Sequence, residues 1–121
     1  MRIHRTITDR KIRMALVGCG RISANHFGAM EQHAQDVEIT DVCDVDHHAL
    51  ERAVQRTGAK GHSSLTEMLT TSAADLVVLA TPSGLHPEQT IEIALSGRHV
   101  MTEKPMATHW HDGLRMVKAC D

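Results

Sequence analysis

The chain has 121 residues, a length that suits one domain, and 41% of them are hydrophobic, enough to bury a core. The formal charge of -2 balances 13 basic against 15 acidic side chains, which points to neither a nucleic-acid nor a membrane partner, and no apolar stretch approaches a membrane span. Phe27 and Trp110 are the only aromatics, so the core is built from aliphatic residues and methionine, and a base-stacking platform for single-stranded nucleic acid is excluded.

In chain order, Met1 to Lys11 is basic and polar, lacks the apolar centre of a secretory signal and reads as a flexible tail (residues 1–11) ahead of a folded domain spanning 12–121. Ile12 to Val17 is a β-rich run that stops at glycine. Ser23 to about Gln32 reads as a helix with Ala24, Phe27 and Met30 inward. Val37 to Cys43 is a second strand. Asp46 is a natural N-cap for a helix carrying Leu50, Ala53 and Val54, stopped by Gly58. Residues 59–62 have room for a short third strand. Ser64 caps a helix with Leu65, Met68 and Leu69 on one face. Leu76 to Ala80 is the clearest buried strand. Pro87 suits the first turn of a helix whose Ile91, Ala94 and Leu95 share a face and which Gly97 ends. Val100 to Glu103 is a fifth strand, and Thr108 opens a last helix with Trp110, Leu114 and Val117 inward.

Strand and helix alternate about five times, which specifies a doubly wound parallel sheet with right-handed crossovers. A dinucleotide-binding sheet of this kind usually adds a sixth strand, so the chain reads as a fragment of a longer polypeptide.

The three cysteines, Cys19, Cys43 and Cys120, are odd in number and widely spaced, which argues against a disulfide framework and for a reducing compartment, the cytoplasm. The histidines lack metal-ligand spacing: His47 and His48 are adjacent and His109 and His111 are two apart, so no metal site is expected.

Gly18-Cys19-Gly20-Arg21-Ile22-Ser23 follows the first strand and opens the first helix. Its first glycine permits a tight turn, the second lets backbone approach a pyrophosphate, and the third small position, here Ser23 rather than glycine or alanine, lets helix and strand pack. An ordinary strand-to-helix turn is the plainer alternative. Asp44 ends the second strand about twenty residues on; an acid there hydrogen-bonds an adenosine ribose and repels a 2′-phosphate, favouring NAD over NADP. A solvated strand-end aspartate is its alternative. Cys19 fills a small position in the turn, with a redox thiol as the lesser reading. Thr81-Pro82-Ser83-Gly84-Leu85-His86 forms a shaped loop after the fourth strand, where His86 either lines a nicotinamide pocket or caps its own helix. Lys104, in Glu103-Lys104-Pro105, stands at the carboxyl end of the fifth strand, where ligands of open α/β sheets sit. There it can position or deprotonate an alcohol. A strand-end lysine paired with Glu103 is the structural alternative.

Taken together, residues 15–23 with His26, Val42-Cys43-Asp44-Val45-Asp46, residues 81–86 and residues 97–107 resemble the glucose-fructose oxidoreductase/inositol dehydrogenase/MocA (Gfo/Idh/MocA) family in order and spacing from about Met14 onward. The resemblance implies a Rossmann NAD-binding domain, truncated before a C-terminal α/β domain that supplies most substrate contacts and further catalytic groups. It implies that Gly18, Gly20, Arg21 and Ile22 contact the pyrophosphate and Asp44 the ribose. Thr81, Pro82, His86 and Glu103 belong to the cofactor site, and Lys104 acts on the reacting hydroxyl. The implied activity is hydride transfer between a sugar, sugar-nucleotide or polyol hydroxyl and NAD by a homo-oligomeric parent. Within the family the motifs are similar to bacterial UDP-sugar 3-dehydrogenases, which oxidise UDP-N-acetylglucosaminuronate for surface polysaccharide (lipopolysaccharide) synthesis. A non-catalytic, dinucleotide-sensing regulatory domain is the competing reading. It would use the same glycine turn and Asp44 without needing Lys104. A methyltransferase, also built on a glycine-rich turn, gives no account of Glu103-Lys104-Pro105.

Overall fold

The computed structural model describes residues 5–121. Five parallel strands, β1 (Ile12–Val17), β2 (Val37–Cys43), β3 (Lys60–His62), β4 (Leu76–Leu79) and β5 (His99–Thr102), form one sheet in the order β3-β2-β1-β4-β5. The helices between and after them are α1 (Ser23–Gln32), α2 (His47–Thr57), α3 (Leu65–Thr71), α4 (His86–Leu95) and α5 (Trp110–Cys120), with a 3₁₀ turn at Ser83–Leu85. None of these helices is long and apolar enough to cross a membrane.

Each strand feeds side chains alternately to two layers. Leu16, Val42 and Val78 meet Phe27 and Met30 of α1 and Ala49 and Ala53 of α2 on one face. On the other, Ala15, Val17, Cys43, Val77 and Leu79 meet Met68 of α3 and Ile93 of α4. Both faces are covered, which is why the strands read as unbroken apolar runs. Asp46 caps α2 by accepting the N–H groups of His48 and Ala49, and Gly58 closes it in the left-handed region at φ 70°.

Three inward faces differ from the sequence reading. In α1, Ser23 is buried and Ala24 exposed, because Ser23 Oγ folds back to donate to Gly20 O at 2.5 Å. In α4 the buried residues are His86, Pro87, Thr90, Ile93 and Ala94, while Leu95 is 77% exposed. In α5 the buried anchor is Met116; Trp110, Leu114 and Val117 are 78%, 50% and 58% exposed. That helix begins at Trp110 with His109 as its N-cap, not at Thr108. Two apolar stripes overlap on α5, and the helix is rotated so that Met116, beside Thr90 and Val100, takes the inner one.

Of the segment read as a tail, residues 1–4 lie outside the described residues. Near its other end Arg10 makes a two-pronged pair with Asp75, Nη1 to Oδ2 at 2.7 Å and Nη2 to Oδ1 at 2.8 Å, and Asp75 also accepts the Arg13 N–H. The Arg10 hydrogen bond, against a smaller opposing effect of burial, holds the Asp75 carboxyl down at about 2.

A register shift in β2 leaves Thr40 without a partner between Ile39 and Asp41. Asp41 is buried there and satisfied. Its Oδ1 meets His62 Nε2 at 2.8 Å, and its Oδ2 accepts from Thr40 and Ser72 hydroxyls at 2.7 Å each. Burial raises its pKa, but the hydrogen bonds from Ser72, Thr40 and His62 outweigh it and leave the carboxyl below the ordinary aspartate value. A depressed carboxylate contributes stability above the unfolded-state pKa and loses it as pH falls through the folded one. Asp41→Asn is therefore expected to lower the unfolding free energy at pH 7 by about 1.5–3 kcal/mol, the range for hydrogen bonds to a charged group. Urea titrations at pH 7 and at about pH 3 should show the gap between wild type and variant narrowing in acid.

Candidate dinucleotide site

The strand order reverses between β1 and β4, so the chain leaves the sheet in opposite directions at their carboxyl ends and opens a crevice there. A cleft of about 540 Å³ occupies that place, lined by Gly18, Gly20, Arg21, Ile22, Asp44, Thr81 and Pro82 together with Val45, Leu65, Leu85 and Gln89. Seven of the residues singled out from sequence thus share one cavity.

Gly18 has φ 93°, and a Cβ at this position would lie 2.6 Å from Ala80 O. No other residue type fits both the conformation and the contact. A Cβ on Gly20 would meet nothing within 4 Å, so its open side faces the space a ligand would fill. Among the described residues the N–H groups of Gly20, Arg21 and Ile22 donate to nothing in the chain, and α1 has no side-chain cap. These free donors at a helix N-terminus suit a pyrophosphate. The cradle therefore fits a dinucleotide on its own geometry.

Asp44 holds this turn in shape. Its Oδ2 accepts the Cys19 N–H at 2.7 Å and its Oδ1 the Asp46 N–H at 2.8 Å. Each carboxylate oxygen keeps a further lone pair for a ribose hydroxyl. Cys19 is buried, and burial, with the Asp44 charge and Cys43 adding, pushes its thiol up to about 12. It is a packing residue in the turn and no ready nucleophile.

His86, Glu103 and Lys104 do not line the cleft. His86 is fully buried, with Nδ1 2.9 Å from Pro105 O and Nε2 2.9 Å from Thr81 O, so it neither faces a pocket nor caps α4. Glu103 turns its Oε1 to His26 Nε2 at 2.7 Å, and its Oε2 accepts the Lys104 backbone N–H at 3.3 Å. The His26 hydrogen bond lowers its pKa. Among the described residues the Lys104 ammonium forms no hydrogen bond or salt bridge, and Glu103 gives its Oε1 to His26. Lys104 is exposed beyond the end of β5, preceding a cis peptide to Pro105.

The residues missed from sequence are Val45, Leu65, Leu85 and Gln89. Val45 is 91% exposed directly after Asp44, and Leu85 is 48% exposed in the loop after β4. Exposed aliphatic residues beside an acidic strand end and a glycine-proline loop are the pattern that could have marked Val45 and Leu85; Leu65 and Gln89 carry no such signal.

A glycine cradle at the reversal of a parallel sheet, with an acid closing the second strand, defines a dinucleotide-binding Rossmann domain. Residues 12–121 match the Gfo/Idh/MocA family, an oxidoreductase family with an NAD-binding Rossmann fold, and the chain belongs to that family. The WlbA dehydrogenase of Chromobacterium violaceum, solved with NADH and UDP-GlcNAcA, superposes with a TM-score of 0.98 at 65% identity over 100% of this chain and 35% of that one. The WlbA dehydrogenase of Bordetella pertussis, also with NADH and UDP-GlcNAcA, gives 0.94 at 61% over 96% of this chain and 35% of that one. The 2,7-anhydro-N-acetylneuraminate hydratase of Escherichia coli is 34% identical over 87% of this chain and 29% of its own length. The chain thus spans about a third of the length of these relatives.

The two glycines separate fold from binding. Gly18→Ala should destabilise the domain by at least about 1–3 kcal/mol, since it is strained at positive φ as well as obstructed. Gly20→Ala should unfold within about 1 kcal/mol of wild type yet bind NAD more weakly. Paired thermal melts and NAD titrations would check this; equal effects of the two substitutions on either readout would refute it.

Proposed function

We infer that this chain is the NAD-binding part of a dehydrogenase that oxidises a sugar-nucleotide hydroxyl, with UDP-N-acetylglucosaminuronate as the substrate. The observation that carries the reading is the unpaired Lys104 ammonium at the carboxyl end of β5, in a chain 61–65% identical to dehydrogenases solved with NADH and UDP-GlcNAcA. The E. coli hydratase, at 34% identity, carries a different activity name, so the substrate assignment rests on the two closer structures. A regulatory domain that only senses a dinucleotide has no use for a cation at the carboxyl end of β5. The same reading assigns the enzyme to the cytoplasm and to surface polysaccharide synthesis, as a homo-oligomer of a longer chain in which residues 12–121 are the cofactor domain.

The geometry supports the following division of labour. The N–H groups of Gly20, Arg21 and Ile22 receive the pyrophosphate, and Asp44 receives the adenosine ribose. Val45 and Leu65 offer apolar walls beside it, and Thr81 and Pro82 border the cofactor's middle. Bound NAD supplies the hydride acceptor. Lys104 meets the reacting hydroxyl, where it stabilises the developing alkoxide or takes its proton.

Lys104→Met in the full-length enzyme is expected to lower kcat by about 10²–10⁴-fold while leaving the NAD dissociation constant within a few-fold, because the interaction belongs to the transition state. Steady-state kinetics with UDP-N-acetylglucosaminuronate, beside calorimetric NAD binding, would check it. A near-normal kcat would make Lys104 structural.

Asp44→Ala should erase the preference for NAD over NADP, since it removes both the ribose acceptor and the charge that repels a 2′-phosphate. An unchanged ratio of the two dissociation constants would overturn the assignment.

A further inference from the structure

Among the described residues the Lys104 ammonium makes no hydrogen bond or salt bridge that would fix it, yet the residues on either side of it both meet histidines. The sheet controls the chain only as far as Glu103, whose N–H still donates to Leu79 O at 2.9 Å. Beyond that point residues 103–109 form no helix or strand. On the upstream side, Glu103 bridges His26 of α1, at 2.7 Å, to the Lys104 backbone N–H, at 3.3 Å. On the downstream side, Pro105 O lies 2.9 Å from His86 Nδ1. The far nitrogen of the same ring lies 2.9 Å from Thr81 O, so the imidazole spans the loops that follow β4 and β5.

We propose that His26 and His86 are positioning residues for Lys104, bracing it from two sides against the two walls of the dinucleotide cleft. His26 anchors one side to α1, the helix that begins at the glycine cradle. His86 anchors the other to the Thr81–Pro82 loop, which borders the same cleft. Imidazole suits this task because its rigid ring presents two nitrogens in fixed directions, and each that carries a proton donates to the oxygen it faces. The His86 ring is fully buried and the His26 side chain is 18% exposed, so water competes little for either contact. A catalytic group displaced by about 1 Å can lose about 10²-fold in rate, which is the scale of effect the brace would control.

The inference rests on Lys104 acting on the substrate hydroxyl, and the test separates the two claims. In the full-length enzyme, His86→Gln keeps a donor near the Nε2 position and drops the one facing Pro105. His86→Asn keeps a donor near Nδ1. His26→Leu removes the bond to Glu103, and His26→Gln retains a donor near Nε2. His86→Gln and His26→Leu should each lower kcat by about 10–100-fold with the NAD dissociation constant within a few-fold. His86→Asn and His26→Gln should recover most of that loss. Combined with Lys104→Met, neither damaging substitution should reduce kcat further, since a misplaced group that is already absent cannot be misplaced again.

Full kcat in both His86→Gln and His26→Leu, alongside a large loss in Lys104→Met, would overturn the brace alone. Losses that multiply with that of Lys104→Met would also overturn it, making the histidines structural. A near-normal Lys104→Met would remove the lysine's role and the brace together. Melting temperatures monitor folding, and if His86→Gln does not fold, the half-buried His26 pair of variants decides the question.

Discussion

Gly18 and Ala80 lie so close that a single methyl group between them would sit 2.6 Å from a carbonyl oxygen. This approach brings the ends of β1 and β4 together where the strand order reverses, and it sets the floor of the cleft. The turn above it then runs at positive φ at Gly18, and the N–H groups of Gly20, Arg21 and Ile22 that follow are left, among the described residues, without partners in the chain. Asp44 completes the arrangement from the neighbouring strand by accepting the Cys19 N–H. The same carboxylate therefore shapes the phosphate cradle and stands beside it, so its loss weakens the binding of both dinucleotides through the cradle, and the ratio of the two dissociation constants isolates the ribose contact.

Much of this was legible in the sequence because the signals were local. The strand-glycine-helix succession, the Asp46 cap, the Gly58 stop and the alternation of elements all depend on neighbours within a few residues. The cleft residues from Gly18 to Pro82 followed from the rule that ligands sit at strand carboxyl ends. The partners of His86 and Glu103 could not follow, because they are set by tertiary contacts over long separations: His86 to Pro105, and His26 to Glu103. Asp41 was equally hidden, since its burial depends on the extra residue at Thr40, which no periodicity reveals.

The inward faces of α4 and α5 were misread for a different reason. Helical spacing identifies stripes but does not rank them when two overlap. In α4 the stripe through Thr90, Ile93 and Ala94 prevails over the one ending at Leu95, and it begins with a buried histidine that a hydrophobicity pattern scores as surface. That misreading is coupled to the site. His86 lies between the carbonyl oxygens of Thr81 and Pro105, and its burial there goes with the side of α4 that meets the sheet.

Electrostatics explains why Lys104 is left accessible. Glu103, adjacent in sequence, is the natural partner for its ammonium, and an exposed pair of that kind gains little, about 0–1 kcal/mol. His26 offers Glu103 a 2.7 Å contact at a half-buried position, where the surroundings strengthen a hydrogen bond to a carboxylate. The competition therefore favours His26, and Glu103 spends its second oxygen on the Lys104 backbone instead of its side chain. The carboxylate thus holds the lysine's main chain without forming a salt bridge to its ammonium, which leaves that ammonium to meet a developing alkoxide.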